Sequence, residues 1–217
     1  MPNKFIIYKN DFVKSNVDCY YHVDYTGYGN PENPDFLNTL KNTFNVESKS
    51  SLKFAKKQVK SILYQGLPII CKDEKLKKCQ CVVVPRAKAL KEYFPEQLQF
   101  SKAVKKAISK LLDDEVIEIE DGTSLIIRKI NTKTTHFKNY KAHVTVKGRV
   151  EDNDGKKPYP GITKDTCFID SKKISRRDII LIDDIYTKTV NIDEDCIQAL
   201  YDIGANKVIF YAIGRTI

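Results

Sequence analysis

The stretch Ile179-Ile180-Leu181-Ile182-Asp183-Asp184-Ile185-Tyr186-Thr187-Lys188-Thr189-Val190-Asn191 decides the fold class. Its four leading aliphatic residues are too few and too β-branched for a helix, and read as a strand buried on both faces. Two adjacent carboxylates end the aliphatic run, and a short loop of hydroxyls and amides follows. Beyond it, Ile192, Cys196, Ala199, Leu200 and Ile203 recur at helical spacing, with Gly204 as the stop signal. Lys207-Val208-Ile209-Phe210-Tyr211-Ala212-Ile213 then reads as a second buried strand. A strand–loop–helix–strand unit of this kind places ligands just beyond the carboxyl end of its first strand. Loop amides at a helix N-terminus make an anion site, and two carboxylates beside it can take a pair of sugar hydroxyls or a metal. A phosphorylated ribose fits that combination.

These residues resemble the phosphoribosyl-diphosphate (PRPP) signature of the type I phosphoribosyltransferases: four hydrophobics, two acids, then a Thr-rich phosphate loop. The resemblance implies that Asp183 and Asp184 hold the ribose 2- and 3-hydroxyls. It implies in turn that Thr187, Lys188, Thr189, Val190 and Asn191 wrap the 5-phosphate. The family usually has Gly where Thr189 stands and Thr where Asn191 stands. Asn can donate to a phosphate and cap a helix. A β-branched Thr resists positive φ, which predicts a loop that departs from the family's at this position and puts turnover at issue.

The second landmark is Cys81-Val82-Val83-Val84-Pro85-Arg86-Ala87-Lys88, a buried strand running into a basic loop ahead of a long helix expected at 95–112. In the family the first core strand ends in a loop that binds diphosphate. The resemblance therefore assigns Arg86, Ala87 and Lys88 to that role, with Arg86 offering a planar donor fork to phosphate oxygens. Read without the resemblance, the same residues are a solvated basic loop. Residues 115–120 read as a strand, Asp121-Gly122 as a hairpin turn, and 124–130 as the return strand. The run from Arg128 to His136 is similar to a segment of the ComF-like (amidophosphoribosyltransferase-like) branch, and so is the arrangement of residues 81–217 as a whole. In that family a mobile loop closes over the site during transfer. Residues 131–141 are the candidate lid, with Lys133 and His136 as the side chains able to reach the leaving diphosphate.

No motif covers the first third. Residues 5–8 and 17–23 suggest strands, and Tyr20, Tyr21, Tyr25 and Tyr28 crowd a loop rich in Gly, Pro and Asn. A helix is expected from Asn33 as cap with Pro34 in its first turn, and a second over 51–64, capped by Ser50 or Ser51 and stopped by Gly66. The division that follows is residues 1–75 as strands and helices forming a possible hood, and 76–217 as a phosphoribosyltransferase-like core. The tyrosines are either packing residues or a platform for a base.

The chain has 217 residues, 41% hydrophobic and 30% charged, the composition of a soluble globular protein with one sizeable core. It has no apolar run of membrane-spanning length and no apolar leader at its start, so a cytosolic protein without membrane partners is expected. Six cysteines at irregular spacing contain no CxxC pair. Cys71, Cys79 and Cys81 would need a further ligand such as Cys19 or His22 to hold zinc, and reduced structural thiols are the simpler reading. The net charge of +9 invites nucleic acid, but the lysines are spread over the length, and a PRPP cleft needs cations as well.

The expectation is an α/β fold, a mostly parallel sheet flanked by helices, with a small N-terminal elaboration. The resemblance implies transfer of ribose 5-phosphate from PRPP to an unidentified nitrogen nucleophile with release of diphosphate, Mg2+ being held through PRPP rather than by side chains. A PRPP- or nucleotide-sensing regulatory module is the alternative, and a basic nucleic-acid-binding protein the less favoured one. A homodimer stays open.

Overall fold

The computed structural model describes residues 1–27, 29–133, 143–146, 149–152 and 162–217. The chain opens with β1 (Asn3–Ile7) and β2 (Val17–Tyr25), then α1 (Phe36–Lys41) and the long α2 (Lys49–Asp73). After β3 (Cys79–Val83) come a 3-10 turn at Pro95–Leu98 and α3 (Gln99–Asp113), then β4 (Ile119–Asp121) and β5 (Ile126–Arg128). β6 (His143–Val146) and β7 (Arg149–Asp152) pair with each other, and α4 (Ile162–Thr166), β8 (Cys167–Ile169) and α5 (Ser171–Ile174) follow. The last elements are β9 (Asp178–Tyr186), α6 (Ile192–Asp202) and β10 (Lys207–Thr216).

Six strands form the main sheet in the order β1-β2-β10-β9-β3-β4. Every pairing is parallel except that of β1 with β2. The aliphatic run of β9 explains its central place. Ile180 and Ile182 enter the core beneath α1, α2 and α3, while Ile179 and Leu181 enter the core beneath α5 and α6. All four are fully buried, which stabilises by about 1.5–3 kcal/mol each. From β3 the chain leaves through α3 toward β4, and from β9 it leaves through α6 toward β10 on the other side. The carboxyl ends of β3 and β9 therefore flank a topological switch point, where open α/β sheets form their ligand crevice.

Residues 1–75 share the sheet and core of the rest of the chain: β2 pairs with β10, and Tyr20, Leu63 and Ile70 share one hydrophobic cluster with Ile182 and Tyr211. The boundary at 75/76 does not separate two cores. Nor does Gly66 stop the second helix, since α2 starts at the Ser48 cap, whose side chain accepts from Ser51 N at 3.0 Å, and runs through both Gly66 and Pro68 to Asp73. Gly66 is required for close approach, because a Cβ there would lie 3.1 Å from Tyr211 Cζ and overlap its hydroxyl. Asp121-Gly122 does not turn a hairpin either. β4 pairs parallel with β3, and β5 pairs antiparallel with β8 in a separate small sheet. Gly122 N donates to Cys81 O at 2.8 Å, and a Cβ at Gly122 would stand 2.7 Å from that oxygen, so the glycine lets the chain leave the sheet edge closely packed.

The tyrosines of the N-terminal third divide in use. Tyr20 is 1% exposed and donates to Glu74 Oε1 at 2.5 Å, while Tyr25 accepts from Asn38 Nδ2 at 2.8 Å; Tyr28 lies outside the described residues. All six cysteines are buried, unpaired thiols. No helix among the described residues is long and apolar enough to cross a membrane.

Candidate functional site

Asp183 and Asp184 stand near the carboxyl end of β9 and face opposite layers. Asp184 Oδ2 pairs with Lys41 Nζ, at the end of α1, at 3.1 Å. Asp183 is hydrogen-bonded to Asp193 in the first turn of α6. The alternation of β9 slips here. Ile180 and Ile182 face the α1–α3 layer and so does Ile185, whereas regular alternation would turn Ile185 to the other side. β10 slips in step, as Gly214 lies against Leu37 and Ile185 of the same layer as Ile213. Local bonds hold the kink: Asp184 N donates to Asp183 Oδ1 at 2.8 Å, and Ile185 N to Asp184 Oδ1 at 2.7 Å.

Carboxylates crowd this strand end. Burial first, then the Asp184 charge, pushes Asp183 up to about 7, while Lys41 and the hydrogen bonds from Asp193 and Asp184 N pull the other way. Burial and the Asp183 and Glu194 charges raise Asp193 well above the ordinary carboxylate range. Asp193 is the donor in its hydrogen bond with Asp183, and its Oδ1 has no partner among the described residues. Glu194 is 1% exposed and accepts from the Tyr186 hydroxyl at 2.8 Å. Asp195 Oδ2 accepts from both the amide and the hydroxyl of Thr163 at 2.8 Å, which ties α6 to α4. Each of the three acids in this first turn thus has a neighbour in the protein.

The loop from Thr187 to Asn191 is a tight turn, with Val190 N donating to Thr187 O at 3.0 Å. Thr187 Oγ1 lies 2.9 Å from Thr216 Oγ1 of β10, which fixes the loop's first residue. Lys188 and Thr189 are exposed, and Val190 and Asn191 half-buried. The strain expected at Thr189 is absent. The loop's left-handed residue is Asn191, at φ 56°, a residue type that tolerates this conformation. Asn191 precedes α6 without a side-chain cap bond.

At the carboxyl end of the neighbouring strand, the loop after β3 is braced from several directions. Arg86 Nη1 donates to Lys41 O at 2.6 Å and to Gln97 O, and its guanidinium lies over Tyr93 at 4.6 Å. One arm of the fork expected to meet diphosphate is thus committed to backbone carbonyls. Ala87 O accepts from Thr132 N at 2.7 Å and from Thr132 Oγ1 at 2.9 Å. Lys88 is 5% exposed, its amide donating to the Tyr93 hydroxyl at 2.9 Å. Arg128, 4% exposed, donates to Arg86 O at 2.9 Å and to Thr166 Oγ1. Of the candidate lid, Asn131 and Thr132 hold this loop, Lys133 ends the described stretch, and His136 lies outside it.

The structure thus brings Asp183, Asp184 and the 187–191 turn to one side of the switch point, with the loop of Arg86, Ala87 and Lys88 on the other. Sequence reasoning missed Lys41 and Asp193. The acidic first turn of α6 was a visible helix-start signal for Asp193, whereas nothing local distinguishes Lys41 from other lysines. Oxygen donors suit Mg2+, but Asp184 Oδ2 already carries Lys41 and Oδ1 an amide. Among known proteins, no family model matches the chain and no curated protein matches it.

Proposed function

We propose that this protein binds PRPP and transfers its ribose 5-phosphate to a nitrogen nucleophile, releasing diphosphate. The observation that carries the reading is the acidic pair near the end of β9, followed at once by the 187–191 turn into α6, at the switch point of a parallel sheet. Asp183 and Asp184 would accept from the ribose hydroxyls, and the turn would enclose the 5-phosphate with amides and the hydroxyls of Thr187 and Thr189. In the transfer, the C1–O bond to diphosphate breaks and its electron pair leaves with the diphosphate. The acceptor nitrogen's lone pair forms the new C1–N bond, and the displaced acceptor proton passes to water or to diphosphate. Positive charge develops on the ribose between these events, and ionised carboxylates beside the ring stabilise it. Magnesium bound with PRPP would offset charge on the leaving group.

A thermal-shift series in PRPP with magnesium tests binding, since a ligand bound only by the folded state raises the unfolding temperature by mass action. A dose-dependent rise is expected. A flat response at millimolar ligand, with the protein shown to be folded, would sink the proposal. Diphosphate release with ammonia, purines and pyrimidines as acceptors then separates transferase from sensor: binding without release under any acceptor makes the protein a PRPP-sensing module.

A further inference from the structure

We infer that Lys41 is a diphosphate ligand that the N-terminal segment supplies to this site, an inference that rests on the PRPP reading above. Its Nζ stands 3.1 Å from Asp184 Oδ2, with only 15% of the lysine side chain and 13% of the aspartate side chain exposed. This is a sheltered ion pair at the site, not a surface contact.

The backbone on both sides of Lys41 is pinned. It is the last residue of α1, which Asn42 ends in a left-handed conformation at φ 43°. Arg86 Nη1 holds the Lys41 carbonyl at 2.6 Å, Gln97 Nε2 holds the Thr43 carbonyl at 3.0 Å, and Asn42 Oδ1 accepts from Glu47 N at 3.1 Å. Arg86 and Gln97 both belong to the connection between β3 and α3, whose first residues are the proposed diphosphate loop. The same connection that would receive diphosphate thus fixes where Lys41 begins, leaving its flexible four-carbon stem to set where the ammonium ends.

Ligand geometry supplies the rest. If Asp184 accepts from a ribose hydroxyl near C1, the diphosphate hangs from the adjoining carbon. A cation already within hydrogen-bonding distance of that carboxylate then needs only a rotamer change to reach a phosphoryl oxygen. The exchange leaves no charge stranded. Asp184 trades an ammonium for hydroxyls, and Lys41 trades a carboxylate for a phosphoryl oxygen, which is at least as good an acceptor. Lys41 would thereby discriminate ligands carrying diphosphate at C1 from those that carry only the 5-phosphate.

Titration calorimetry of wild type, Lys41→Gln and Lys41→Arg with PRPP and with ribose 5-phosphate, in magnesium, tests the inference. Lys41→Gln should weaken PRPP binding by about tenfold or more while changing ribose 5-phosphate binding by about twofold or less; Lys41→Arg, which keeps the charge, should recover most of the PRPP affinity. Equal losses for both ligands would make Lys41 a mere support for Asp184 and overturn the inference, as would PRPP affinity unchanged in Lys41→Gln. A wild type that binds neither ligand overturns the PRPP reading itself, so the two failures are distinct. Thermal denaturation of each variant shows that the fold persists, and Lys41→Met, which also removes the charge and carries the same two expected outcomes, replaces Lys41→Gln if that variant is unstable.

Discussion

Neutralising Asp193 should change how the protein responds to pH. Asp183 is pushed up to about 7 by burial and the Asp184 charge, and Asp193 is raised well above the usual range, whereas both titrate near pH 4 in the unfolded chain. Between those limits the folded state binds more protons than the unfolded one. The pair's contribution to stability is therefore fully present below about pH 4 and is lost as pH rises through about 7. Asp193→Asn keeps a donor facing Asp183 without a proton to lose. It should gain on wild type steadily as pH rises from about 5 to about 8, by at least about 1 kcal/mol, or at least about 2–4 °C in melting temperature for a chain of this size. Thermal denaturation across that range checks it, and a variant that gains nothing on wild type across it would refute the shared proton. A few residues away, Thr189 needs no relief from strain. Thr189→Gly should cost about 0.5–1 kcal/mol through a more flexible unfolded chain, while Asn191→Ala should cost about 1 kcal/mol because Ala pays more for the left-handed region. Urea denaturation ranks the two, and stabilisation by Thr189→Gly would contradict the loop geometry. The acid pair and its loop were legible in the sequence because they are contiguous. Which loop residue takes the positive φ was not, because hydrogen bonds at Val190 and the contact with Thr216 set it.

Among the elements, α2 carries the sharpest test. Gly66 lies in the middle of a 25-residue helix, where Ala would normally add about 1 kcal/mol of helix propensity. Here the added methyl would overlap the Tyr211 hydroxyl, on a side chain that is fully buried and whose oxygen has no partner among the described residues. Gly66→Ala should therefore destabilise by about 1–3 kcal/mol, the usual cost of overpacking. Tyr211→Phe removes the obstructing oxygen together with a buried unsatisfied group, and should be neutral or stabilising alone. The double variant should recover most of the loss, so the two effects are strongly non-additive. Chemical denaturation of the four proteins measures that coupling, and additive changes would mean the helix and strand are not in register as described. The same pair explains why the helix outran its expected end. Glycine inside an apolar periodicity signals a stop when only the local chain is considered, and a close approach when a tyrosine from the last strand lies against it. Asp121-Gly122 misled in the same way, its glycine serving a contact with Cys81 O rather than a hairpin. The strands β3, β9 and β10 were readable because each carries its own run of buried aliphatic residues.

At the scale of the whole molecule, Glu74 decides whether the N-terminal third is part of the core. It follows α2 directly, with a side chain only 5% exposed. Three parts of the sheet converge on it: Lys4 of β1 at 2.8 Å, the Tyr20 hydroxyl of β2 at 2.5 Å, and Lys207 of β10 at 2.8 Å. Burial alone would raise its pKa, but the hydrogen bonds from Lys207, Lys4 and Tyr20 outweigh it and hold Glu74 down at about 2. No sequence pattern announces this knot, because its members come from both ends of the chain and each is an ordinary surface type by itself. Glu74→Gln keeps the shape and removes the charge, so it should destabilise at neutral pH by about 1–3 kcal/mol, as two ammonium groups lose their counter-charge and one of the two acceptor oxygens becomes a donor. A carboxylate depressed in the folded state contributes stability that is present above its unfolded pKa near 4.5 and lost as pH falls toward 2. The gap between wild type and Glu74→Gln should therefore be widest near neutrality and narrow steadily in acid, opposite in direction to the Asp193 effect. Both proteins should also unfold in a single transition seen by every probe, since β1, β2 and β10 cannot separate without breaking the same knot. Parallel stability curves over the whole range would show that Glu74 is not the charged centre described here, and a separate early transition of the N-terminal strands in wild type would show that the six-stranded sheet is not one cooperative unit.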